Sequence, residues 1–231
     1  MWRHRIWEVI DLKQKMNHSL YYPVDPMKDR LSLWDVIYKG LTVDGSLTAY
    51  DLGPTLDDEF TIPLNPTQVD SMLNREVVSY RPNLDTGEPE AVTQIIKMNT
   101  TDIVAYKLKE DWIFDKQRSE RYVRIIGLAP VYLNKSLETG EVKGVKELFW
   151  LYFPECRYVF ANADVFNLHN DAQRMSFDDL FQKRMFSAYV VKEENVYDRN
   201  IDEYAKGVDA LLESERIKGE IFLMEHDLWN Y

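Results

Sequence analysis

Short runs rich in β-branched and aromatic residues recur along the chain and read as strands. Residues 5–12 (RIWEVIDL), 47–50 (LTAY), 121–130 (RYVRIIGLAP) and 148–153 (LFWLYF) are such runs. The last two are expected to pair as a hairpin across the charged connection 132–146. Residues 157–160 (RYVF) read as a further strand. Between these runs the spacing changes to that of helices. Ser32 is an N-cap with Asp35 three residues on, Leu33, Val36 and Ile37 share a face, and Gly40 suits a left-handed stop. Thr67 and Asp70 repeat the capping logic for a short helix using Val69, Met72 and Leu73. Ser176 caps another, with Phe177, Leu180 and Phe181 inward and Lys183 and Arg184 at its end. Ile201, Tyr204, Ala205, Val208, Leu211 and Leu212 form one continuous stripe, which predicts a helix over 201–212. The tail EIFLMEHDLWNY is too apolar to hang free, so it is expected to dock on the body or on a partner. Residues 51–65, 81–89 and 161–171 carry the prolines, glycines and asparagines of loops.

One phrase occurs twice. AYKLKEDWIFDK at 105–116 and AYVVKEENVYDR at 188–199 align without a gap, with five of twelve positions identical. Three more phrases recur in the same order: RIWEVIDL with RYVRIIGL, LYYP with LYFP, and SLWDVIYK with SFDDLFQK. A self-match of this kind predicts a repeated architecture. The fold class expected is α+β, built from two β-β-α-β units in a single compact domain spanning 1–231. The first unit covers about 5–116 with an insertion at 40–104, the second covers 121–199, and a helix and tail follow at 200–231.

Composition narrows the function. Hydrophobic residues make up 45% of the 231 positions, enough for a core. The formal charge is 28 − 39 = −11, which repels a phosphate backbone and disfavours nucleic acid. The single cysteine, Cys156, rules out an intrachain disulfide and reads as a packed thiol. No apolar run approaches the ~20 residues of a membrane helix. No signal peptide is visible; the first residues already read as structured.

Candidate chemistry is sparse. His4, His18, His169 and His226 have no metal-ligand spacing, and His169 reads as a solvated loop residue. The adjacent acids Asp57-Asp58-Glu59, Asp178-Asp179 and Glu193-Glu194 include a helix cap and no recognisable acid/base pair. Phosphate-cradling and nucleophile-elbow motifs do not occur. Neither cofactor nor metal is expected. Trp112, Phe114, Trp150 and Tyr152 are candidates for an aromatic glycan platform. Trp150 fits the core better, and alternation of Trp112 with Phe114 also fits an inward-facing strand side.

The runs KEDWIFDKQRSERYVRIIGLAPV and FWLYFPECRYVFANADVFNLHNDAQRMSFDDLFQKRMFSAYVVKEENVYDR, with LYYP and SLWDVIYKGLTVDGSLTAYD before them, resemble the PorN/GldN family. The resemblance covers almost the whole chain. It implies a non-enzymatic component of type IX protein secretion and gliding motility in Bacteroidetes-type bacteria. It further implies a periplasmic place beside the outer membrane, a ring built with copies of itself and a PorK/GldK-like lipoprotein, and contact with the motor protein PorM/GldM. A secretory leader, expected of that family, is taken to have been removed ahead of this chain. Contact residues expected on this reading are Trp112, Phe114, Arg118, Arg81 and Asp85 of the 81–89 loop, Phe222 and Trp229. Two other classes stand beside it. A periplasmic glycan-binding module would show an open groove lined by tryptophans. A carboxylate-dependent hydrolase would show a pocket holding two carboxylates with shifted pKa values.

Overall fold

A computed structural model describes the chain apart from residues 1, 28–29, 54–57, 83–88, 116, 119, 136–141, 166–173, 198 and 229–231. Only the backbone is described for 75–82, 89–94, 135 and 224–228. In chain order the elements are β1 (Trp2–Asp11), α1 (His18–Tyr21), α2 (Leu33–Thr42), β2 (Ala49–Tyr50), α3 (Pro66–Leu73), β3 (Asn74–Pro82), β4 (Pro89–Lys97) and β5 (Ile103–Asp115). These are followed by β6 (Glu120–Lys135), β7 (Val142–Glu147), β8 (Trp150–Tyr152), α4 (Phe153–Ala161), α5 (Phe177–Gln182), β9 (Tyr189–Glu193), α6 (Ile201–Tyr204) and α7 (Val208–Leu228). The fold is α+β, as the alternating and helical runs predict.

Seven strands form one sheet in the order β2-β8-β6-β5-β1-β9, with β7 also on β6, and among the described residues every ladder of this sheet is antiparallel. β3 and β4 form a separate two-stranded hairpin. Strand alternation gives the large sheet two faces. Ile10, Tyr106, Leu108 and Leu128 point to one, where α1, α2, α4 and α5 bury Leu20, Leu33, Trp34, Ile37, Phe160 and Phe181 over them. Farther along the same face Ile6 and Val190 meet Ile217 and Ile221 of α7. The opposite face carries Trp7, Ala129 and Trp150 and is crossed by the chain around Phe60.

The twice-used phrase supplies β5 and β9, which flank β1 on either side. Lys109 and Lys192 both stand opposite Trp7, and Glu110 and Glu193 both stand opposite Ile6. Both SxxD phrases cap helices, Ser32 accepting from the amide of Asp35 and Ser176 from that of Asp179. An internal duplication is not established by these matches. LYYP ends α1, whereas LYFP ends β8 and opens α4.

Several local expectations change. Residues 157–160 lie in α4 and not in a strand. Pro154 at the start, Glu155 in the first turn and the buried row Phe153, Cys156, Phe160 favour helix there. α2 runs through Gly40, whose role is close approach, since a Cβ would lie 2.7 Å from Leu47 Cδ1. α3 is capped by Asn65 with Gln68, two residues ahead of Thr67. The helix expected over 201–212 breaks after Tyr204 and restarts at Val208, with Gly207 at φ +61° between them. The connection 132–146 is largely strand, divided between β6 and β7. Cys156 is a packed thiol, its pKa pushed up to about 12, first by burial and then by Glu155.

Gly127 decides how the far face closes. Phe60, with φ +58°, lays its ring against Tyr50, Trp150 and Tyr152. A Cβ on Gly127 would stand 2.6 Å from Phe60 Cζ and 3.0 Å from Trp150 Cε3. Overpacking of this kind costs about 1–3 kcal/mol. Urea unfolding of Gly127→Ala is expected to show that loss, and Phe60→Ala in the same chain is expected to cancel part of it. Additive losses would separate the two positions.

Candidate functional site

The site grows from the end of α5. That helix stops in a Schellman turn, with the Arg184 amide donating to Phe181 O at 3.1 Å and the Met185 amide to Leu180 O at 3.0 Å. The left-handed residue of such a turn is usually glycine, yet here it is Arg184 at φ +51°. Left-handed backbone costs a residue with a Cβ roughly 1–2 kcal/mol. The side chain offsets that cost. Its Nη1 lies 2.8 Å from both carboxylate oxygens of Glu110, and its Nη2 donates to Glu8 at 2.9 Å.

Glu8 and Glu110 sit on adjacent strands, on the face that otherwise buries Ile6, Ile10 and Leu108. Both are buried, Glu110 completely. Two carboxylates in that position repel one another and lack water, so a shared cation is required. Lys218 of α7 adds a second, 3.8 Å from Glu8, and also donates to Ala188 O. One strained arginine and one lysine thus connect the sheet, α5 and α7. The Glu110 carboxyl is pushed up to about 7, by burial first and by Glu8, against the pull of Arg184 and a hydrogen bond from Trp112.

Trp112 is the aromatic centre. Its indole N–H donates to Glu110 at 3.2 Å, and the guanidinium groups of Arg121 and Arg184 lie 5.1 and 5.3 Å from its ring centre. Such stacking suits arginine, whose planar cation is weakly hydrated. Arg184 also lies over Phe186, at 5.1 Å. Around them opens a cleft of about 420 Å³, closed on its other sides by Met16, Ala188, Lys218, Ile221 and Phe222.

Of the residues expected at contacts, Trp112 and Phe222 line this one cleft although they are far apart in sequence. Arg118 is exposed in the β5–β6 turn. Phe114 packs within the chain and is 5% exposed. Arg81 lies in β3 with its side chain outside the described residues, and Asp85 and Trp229 lie outside them altogether, as does His169. The glycan platform does not assemble: Trp150 is core, and Tyr152 packs against Phe60. The sequence reading missed Glu8, Glu110 and Arg184. The signal for the two carboxylates was parity, since Ile6-Glu8-Ile10 and Leu108-Glu110-Trp112 each place a carboxylate on an apolar strand face.

A buried carboxylate pair beside a cleft matches the pattern looked for in a hydrolase. Here Arg184 holds both oxygens of Glu110 and one of Glu8, and Glu110 exposes no surface to a substrate. The arrangement can fix an aromatic side chain and two helices. The family model for the gliding motility associated protein GldN matches residues 1–230. The chain belongs to the GldN family. No curated protein matches it. As a GldN-family member it is associated with gliding motility, and among its described residues no helix is long and apolar enough to cross a membrane.

Burial of Glu110, which Arg184 offsets only in part, makes stability depend on pH. Glu110 binds its proton more tightly when folded, about 7 against an ordinary 4.5, so its contribution falls as pH rises through that window. Urea unfolding of Glu110→Gln is expected to lose that fall between pH 5 and 7. Arg184→Met leaves both carboxylates without their shared partner and is expected to cost roughly 3 kcal/mol at pH 8 and less at pH 5. An equal loss at both pH values would contradict the bridge.

Proposed function

We propose that this GldN-family chain is a structural, non-enzymatic subunit of the type IX secretion and gliding machinery. It works in the periplasm, peripheral to the outer membrane. There it joins copies of itself and a GldK/PorK-like lipoprotein in a ring and touches the motor protein GldM/PorM. The observation that carries this reading is the family match over residues 1–230. The site geometry supports it in a second way. Trp112, Phe186 and Phe222 face an open cleft on a rigid frame, and aromatic residues with arginine are the side chains that contribute most at protein interfaces. A closed ring needs two different surfaces on each subunit, one for each neighbour. The cleft is one candidate, with Trp112 and Phe222 as its contact residues; the exposed Arg118 of the β5–β6 turn is a further contact outside it.

The test is recovery of the envelope assembly through this chain. The expected result is a large complex containing a lipoprotein and a motor protein. Trp112→Ala combined with Phe222→Ala is expected to lower that recovery at least tenfold, the chain still unfolding cooperatively by circular dichroism. Full recovery with the folded double variant would remove the cleft from the interface. Absence of the lipoprotein and motor from the wild-type complex would overturn the function.

A further inference from the structure

Helix α7 is apolar on two sides. One side seats it on the sheet. Ile217 and Ile221 are buried against Ile6 and Val190, and Ser214 Oγ accepts the outward amide of Val190 at 2.8 Å. With Lys218 on Ala188 O, these contacts close the edge of β9 against further strands. The other side points away from the chain. At 100° per residue, Val208, Leu211, Leu212, Phe222 and Leu223 fall on one stripe opposite Ile217, about 22 Å long. All five are exposed, Val208 by 71% and Phe222 by 63%. A helix with a second apolar face requires a second cover.

Gly219 lies in the middle of that stripe. Glycine inside a helix costs about as much as any residue but proline. Nothing among the described residues explains it, because a Cβ there would meet none of their atoms within 4 Å. The space is open on the outside only. Between Leu212 on one side and Phe222 and Leu223 on the other, Gly219 leaves a notch in which another backbone can come close.

We propose that the outer face of α7, centred on Gly219, seats a helix of another protein that carries a lysine or arginine among its apolar residues. The charge pattern selects this occupant over a second copy. Glu215 is exposed within the stripe, and Asp209 is exposed beside it. Arg216, the neighbouring cation, is already bound by Glu213 and Glu220. A second α7 crossing antiparallel at Gly219 sets Glu215 against Leu223. A pair centred on Glu215, or a parallel pair, sets Glu215 against itself. Each buries a carboxylate without a cation. A basic partner helix satisfies Glu215 and fills the notch. Phe222 belongs to both the stripe and the Trp112 cleft, so the two surfaces are continuous. This inference rests on the structural role proposed above and specifies the chemistry of one contact.

The test places a photoactivatable phenylalanine at Leu212 in the full chain, crosslinks in intact cells and sequences the attached peptide. The expected adduct is a peptide of another protein with apolar residues at helical spacing and a lysine or arginine among them. A peptide of this same chain, a lipid adduct or no adduct overturns the proposal. Gly219→Leu is expected to cut the crosslink at least tenfold, and Glu215→Lys to reduce it severalfold. Gly219→Ala is expected to raise the melting temperature of the isolated chain by roughly 2–4 °C. Undiminished crosslinking by Gly219→Leu also overturns it. The identity of the crosslinked protein bears separately on the machinery: a basic helix from a protein unconnected with gliding keeps this inference and ends the functional reading.

Discussion

Two carboxylates on the apolar face of a sheet are the constraint around which this chain is arranged. Glu8 and Glu110 cannot both be charged there unless a cation stands between them, and Arg184 reaches both. To reach them it takes the left-handed position that ends α5, where glycine would sit without strain. Replacing all three by apolar residues would satisfy a core as well. What the ionic arrangement adds is position. Glu110 orients the Trp112 indole, Arg184 lies over its ring, and Lys218 brings α7 to the same carboxylate that Arg184 holds. Aromatic ring, helix end and terminal helix are thereby referred to one point on the sheet.

That convergence explains why an aromatic surface stays open beside a well-filled core. The helices over Ile10 and Leu108 bury Phe153, Phe160 and Phe181 completely. Over Ile6 the cover is thinner, with two isoleucines of α7 and the cleft beside them. The other face is closed differently, by Phe60 over Gly127 and by Asp58. Lys109 and Trp7 both donate to Asp58, and these bonds hold its carboxyl below the usual range although burial opposes ionisation. The exposed side of α7 extends the aromatic surface outward.

Much of this was legible in the chain. Strand runs and serine caps follow from local chemistry, and β1, β5, β6, α2 and α5 formed where those signals stood. The twice-used phrase predicted a repeated architecture, which is not established; what it forms is β5 and β9, two strands in equivalent register beside β1. Misreadings arose where a nearby residue changed the meaning of a pattern. Pro154 turned RYVF from strand to helix. Gly207 divided the best apolar stripe, and the sheet took Ile217 and Ile221 in place of Leu211 and Leu212. The cleft was legible by halves. Trp112 stood in a charged phrase and Phe222 in an apolar tail, but the carboxylate pair beside them depends on the pairing of β1 with β5, with Glu8 opposite Leu108 and Glu110 opposite Ile6, which no local pattern encodes.

Hydrogen exchange of this chain, alone and within the assembly recovered from cell envelopes, distinguishes the α7 side of the sheet from the Phe60 side. The account requires added protection along α7 from Val208 to Leu223 and at the strand and helix ends carrying Trp112 and Arg184, with little change near Phe60 on the opposite face. Protection confined to the Phe60 face, with α7 exchanging as in the free chain, would contradict it.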